Sequence, residues 1–134
     1  MPLVPVTLVT GAACVFLNIW LGGRIAKLRG EFKVSVGDGG KEPLLRRMRA
    51  QANFIENAPF VLVLLGGLEL SGANRLWLGA IAILFIVARI AHAVGMDAAE
   101  NRRWRMYGML ATTLVNVALA AWALFCAVEL CLRG

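Results

Sequence analysis

The stretch "RMRAQANFIENAP", residues 47–59, carries Arg49, Gln51, Asn53 and Glu56 to the head of the apolar run "FVLVLLGGL". At about 100° per residue, Arg46, Arg49, Asn53 and Glu56 fall on a single helical stripe and converge. Gln51 points elsewhere, toward a neighbouring helix or another part of the same ligand. Farther along, Arg89 and His92 share a face inside a second apolar run. A cationic side chain at that depth costs on the order of 3 kcal/mol, so it turns inward and takes a partner. Arg89 could pair with Glu56 or Asn53 of another helix and merely lock a bundle, and His92 alone reads as a packing residue. The full set is harder to absorb by pairing. Arg49, Gln51, Asn53, Glu56 and Arg89, next to Arg24, Arg29 and Arg105 at the run ends, leave cations over, and the surplus asks for an anion.

Glutathione has the matching chemistry: two carboxylates, one ammonium and a thiol. Arginine forks can hold carboxylates bidentately, a glutamate can take the ammonium, and asparagine and glutamine can bond the amides. A nearby cation would help the thiol ionise near neutral pH.

The elements that must position these groups follow from hydropathy. The chain has 134 residues, 60% hydrophobic and 16% charged, with a mean hydropathy of +0.73, values that belong to a membrane protein. A helix needs roughly 20 predominantly apolar residues to cross the hydrocarbon. Four runs qualify, at residues 2–23, 50–68, 76–96 and 106–128, with Glu56 and Arg89 as their formal charges. They lack the alternation of a β-barrel, so the chain is expected to be an all-α integral membrane protein, a single domain of four transmembrane helices.

The connections at 24–49 and 97–105 hold most of the arginines and lysines. The positive-inside rule places both in the cytoplasm and both termini on the periplasmic side of a bacterial inner membrane. This topology accounts for the net charge of +6 without nucleic acid. No basic segment precedes the first run, which is therefore expected to remain in the mature protein. Cys14, Cys126 and Cys131 lie in apolar runs without metal-ligand spacing, so no metal is expected. "VSVGDGGKE" lacks Walker spacing and reads as a flexible loop. Gly22-Gly23, Gly66-Gly67 and the small residues around Gly79 suit close helix packing. There is no internal repeat.

"RAQANFIE" at residues 49–56, followed by Pro59, resembles the R-A-x-x-N-x-x-E-x-x-P signature of the membrane-associated proteins in eicosanoid and glutathione metabolism, the MAPEG family. "ELSG" at the end of the second run and "ARIAHAVGM" in the third are similar to its bacterial members. The resemblance implies a homotrimer binding glutathione at the subunit boundary near the cytoplasmic face. Arg49, Gln51, Asn53 and Glu56 would bind it from the second helix, and Arg24 and Arg29 from the first. Arg89 and His92 would come from the third helix of the neighbouring subunit. Arg105 would stabilise the thiolate, with Arg102 and Arg103 as competitors for that role. The chain has Asn57 where the family often has tyrosine after the motif glutamate, and Met96 where a second tyrosine is common.

Three functions follow as expectations. The first is a glutathione transferase or peroxidase acting on lipophilic electrophiles or hydroperoxides dissolved in membrane lipid. The second is a non-catalytic protein that binds lipid or glutathione for a partner, as the lipoxygenase-activating branch of the family does. The third is a small four-helix exporter, whose usual first-span carboxylate is absent from residues 2–23.

Overall fold

A computed structural model describes residues 3–98 and 103–133, without the side chain of Arg133. Four helices account for nearly all of them: α1 (Pro5–Phe32), α2 (Glu42–Leu70), α3 (Arg75–Asp97) and α4 (Arg103–Arg133). All four are long and apolar enough to cross a membrane. They run alternately up and down. α2 and α3 form the central pair, α1 and α4 each pack on both of them, and among the described residues α1 and α4 do not meet.

The helices outrun the apolar stretches that reveal them. α1 continues to Phe32 and α2 begins at Glu42, so most of the expected connection at 24–49 is helical and only 33–41 lies outside a helix. Hydropathy marks the part fit for lipid, whereas Ala, Leu, Lys, Arg and Glu are good helix formers in any solvent. Proline starts both α1 and α2, where its missing N–H costs nothing. Lys33 ends α1 in the left-handed conformation, with Val34 N donating back to Arg29 O at 3.0 Å. Asn74 caps α3 by accepting from Leu76 N at 2.9 Å.

The start of α1 has no side-chain cap of its own. Glu69, buried at the end of α2, supplies it. One carboxylate oxygen accepts from Val6 N at 3.0 Å, and the other accepts from Thr7 N at 2.9 Å and Thr7 Oγ1 at 2.8 Å. These are orphan donors of the first turn, and the positive end of the α1 dipole favours the negative charge. Arg75 stands 3.6 Å from the same carboxylate and donates to Leu3 O. The glutamate of "ELSG" thereby ties three helices together at the end opposite the basic connections.

The core runs along the centre of the bundle through Leu17, Leu21, Phe54, Val61, Leu65, Phe85 and Leu119. On α3 the buried stripe is Leu78, Ala82, Phe85, Arg89 and His92, so the two polar residues continue an apolar face at the same helical spacing. A second polar seam joins α2 to α4. Asn116 Nδ2 donates to Asn57 Oδ1 at 3.0 Å and to Thr112 O at 3.1 Å, while Asn57 Nδ2 donates to Asn53 O at 2.8 Å. Interhelical bonds of this kind contribute about 0.6–2 kcal/mol each in membranes.

The glycines that allow close approach are not those the sequence singled out. A Cβ at Gly23, Gly67 or Gly79 would meet nothing within 4 Å, and at Gly22 or Gly66 it would make only ordinary contact. The close crossing lies between α3 and α4. A Cβ at Gly108 would sit 2.5 Å from Ala88 O and 2.6 Å from His92 N, and one at Gly95 only 2.2 Å from Arg105 N. Paired glycines read as packing motifs in a single chain, but the helix axes decide where backbones meet. Gly108→Ala should therefore force α4 off α3. Overpacking costs about 1–3 kcal/mol, which should lower the melting temperature in detergent by roughly 5 °C or more, whereas Gly79→Ala should leave it unchanged or raise it.

Candidate functional site

A cavity of about 500 Å³ opens at the basic end between α2, α3 and α4, within the roughly 300–1,000 Å³ of small-molecule sites. The α2 stripe lines it as a unit: Arg46, Arg49, Asn53 and Glu56 are all in the wall. α3 adds His92 and Met96, and α4 adds Arg105 and Met109. Arg105 reaches the cavity because Gly95 lets the first turn of α4 rest directly on α3. Met109 is 54% exposed and gives the cavity an apolar rim on the lipid-facing side of α4.

Charge pairing separates the residues of this wall. Arg46 is engaged, its Nε donating to Glu42 Oε1 at 3.1 Å on the same helix. Arg49, Glu56 and Arg105 make no ion pair or hydrogen bond among the described residues, and the His92 imidazole makes no hydrogen bond there either. Two guanidinium groups, one carboxylate and a buried imidazole thus face one space with their hydrogen-bonding capacity unused. Among the described residues no group of three or more His, Cys, Asp or Glu could hold a metal ion.

Arg89 lies behind the wall. It is only 2% exposed, and its Nη1 donates to Asn53 Oδ1. Pairing with Asn53 was one of two partners open to it from sequence, and it forms within one chain. His92 likewise meets the α2 stripe of its own chain, so neither residue needs a neighbouring subunit to reach it. The other expected ligands lie off the cavity. Gln51 turns to α1, where its Nε2 donates to Asn18 Oδ1 at 3.0 Å. Arg24 binds Asp97, donates to Ala93 O and stacks on the Trp20 ring. Arg29 is partly buried, with its Nε unpartnered among the described residues. Of the competitors to Arg105, Arg103 opens α4 without lining the cavity and Arg102 lies outside the described residues.

Asp97 is the residue that sequence reasoning missed. At the last turn of α3 it accepts from Arg24 of α1 and from Arg47 Nε of α2, the latter at 3.1 Å, while Arg47 Nη1 donates to Arg24 O at 2.8 Å. The clasp holds three helix ends beside the cavity and consumes two cations that otherwise count toward a surplus. An acid at the head of a connection that carries Arg102, Arg103 and Arg105 was the available signal. Asn116 was also missed, although Thr112 and Asn116 stand four apart within the uncharged run 106–128.

The fold and site together define a four-helix membrane protein with a polar, cation-rich cavity at its basic end. Residues 7–125 match the model of the MAPEG family, and the chain belongs to that family. It is similar to inner membrane protein YecN of Escherichia coli K12, at 32% identity over 90 residues, 66% of each chain. The same protein of Escherichia coli O6:H1 strain CFT073 matches equally. The chain thus spans just under two thirds of the length of these curated relatives. No solved structure matches it significantly.

Proposed function

We propose that the protein is a membrane-bound, glutathione-dependent transferase or peroxidase acting on lipophilic electrophiles or hydroperoxides. The observation that carries this reading is the convergence on one cavity of Arg49, Glu56 and Arg105, which have no partner among the described residues. The donor set fits the tripeptide: Arg49 for a carboxylate, Glu56 for the ammonium, and Asn53 for a polar oxygen between them. Arg105 is left for the sulfur. A thiol with pKa about 8.5 is only a few per cent ionised at neutral pH, and each unit by which a cation lowers it is about 1.4 kcal/mol of thiolate stabilisation. The apolar rim at Met109 lets an electrophile arrive from lipid, where the sulfur bonds to its electrophilic atom as the leaving group departs or a hydroperoxide O–O bond breaks.

The basic end faces the cytoplasm by the positive-inside rule, with both termini periplasmic, in an inner membrane like that of YecN. We propose a homotrimer as the working assembly. The division of the site between subunits then differs from the one the resemblance implied. α2, α3 and α4 of one subunit supply Arg49, Asn53, Glu56, His92 and Arg105, and the next subunit closes the open side of the cavity. Native mass spectrometry in mild detergent should find three chains, and a monomer with full glutathione affinity would remove this division.

Glu56→Gln should weaken glutathione binding roughly 10- to 100-fold by calorimetry, since a charge-assisted bond contributes about 1.5–3 kcal/mol. Unchanged affinity would remove Glu56 from the site. Arg105→Ala should leave affinity nearly intact while abolishing the thiolate absorbance and most of the conjugation rate at pH 7. Raising the pH should restore part of that rate, because bulk hydroxide then does what the cation did. Wild-type protein that binds glutathione with the thiol unionised would instead be a non-catalytic carrier.

A further inference from the structure

We propose that Arg89 is a positioning residue: by donating to Asn53 Oδ1 it fixes the Asn53 amide so that Nδ2 is the atom offered to the cavity, making Asn53 a donor that selects an acceptor on the ligand. The proposal rests on the reading that this cavity takes glutathione, and adds to it the polarity of the bound molecule along α2.

A guanidinium group has only donors. The Asn53 atom against Arg89 must therefore be the carbonyl oxygen, whichever way the amide is first drawn. Turning the amide over would set its NH2 against a guanidinium that is 98% buried, and Arg89 cannot retreat because Leu78, Ala82 and Phe85 continue its buried stripe. The buried Nε and Nη2 of Arg89 have no partner, and no carboxylate lies within ion-pairing distance among the described residues. The oxygen of Asn53 is thus what this cation has. The Asn53 backbone carbonyl is met separately by Asn57 Nδ2 at 2.8 Å, which leaves the side-chain Nδ2 as the free polar atom of a residue that lines the cavity. An unpaired donor held in place before the ligand arrives lowers the ordering cost of binding. It donates to a carboxylate or carbonyl oxygen and has nothing to offer an ammonium. The ammonium goes to Glu56, one turn farther along the same stripe, so the acceptor end of the ligand lies toward Arg49 and Asn53.

Asn53→Asp tests this on the full-length protein in detergent, because it keeps the shape and the acceptor toward Arg89 but removes the donor toward the cavity. Its melting temperature should equal or exceed that of the wild type, and the gain should vanish in an Arg89→Met background. Calorimetry with reduced glutathione should show at least tenfold weaker binding. Arg89→Met should also weaken binding although Arg89 lies outside the cavity wall, and Arg89→Lys, which keeps one donor, should recover part of the loss. Asn53→Asp protein that binds glutathione as the wild type does would overturn the proposal, as would folded Arg89→Met protein with wild-type affinity. If Arg89→Met does not fold, the Asn53→Asp affinity still decides. Wild-type protein that takes up no glutathione would overturn the functional reading, and this proposal with it, before any substitution is made.

Discussion

α4 joins the bundle through backbone contact. Gly108 lies against the backbone of Ala88 and His92, and Gly95 against the backbone of Arg105. In lipid the hydrophobic effect gives no reward for bringing one apolar helix to another, so association depends on van der Waals packing and on polar bonds between helices. The glycine crossing supplies the first, and the Asn57–Asn116 bond supplies the second between α2 and α4. Much of the remaining α4 surface is exposed, including Leu114, Val117, Leu124 and Phe125. The helix that carries Arg105 to the cavity is thus held chiefly over the half that lies beside it.

Charge is distributed by the same logic of local satisfaction. At the end opposite the cavity, Glu69 takes the orphan N–H groups of α1 and stands beside Arg75. At the basic end, Asp97 gathers Arg24 and Arg47, and Glu42 holds Arg46. These pairs close the edges of the bundle. Inside that frame Arg49, Glu56 and Arg105, without partners among the described residues, face a common space. Their binding capacity is gathered in one place. The buried Arg89 extends that capacity inward through Asn53.

Much of this was legible along the chain, for a periodic reason. A helix repeats every 3.6 residues, so the stripe of Arg46, Arg49, Asn53 and Glu56 could be drawn from spacing alone, and it lines one cavity as drawn. Arg89 and His92 could likewise be placed on an inward face, because a charge in lipid has nowhere else to go. Number and type of helices followed from hydropathy, since no other backbone form without alternation crosses a bilayer.

Periodicity leaves open which faces meet, and packing settles it. A helical face can be assigned to one side without saying which neighbour it touches, and so Gln51 found Asn18 instead of the cavity, while Arg24 found Asp97. Gly95 and Gly108 could not be distinguished from Gly23, Gly67 or Gly79, because a glycine matters only where another backbone passes, and that is set by the crossing of two axes. The four spans, the polar stripe and the inward cations could be drawn from the chain because they are properties of single helices. The partner of each cation depended on distances between helices, and those are properties of the packed bundle.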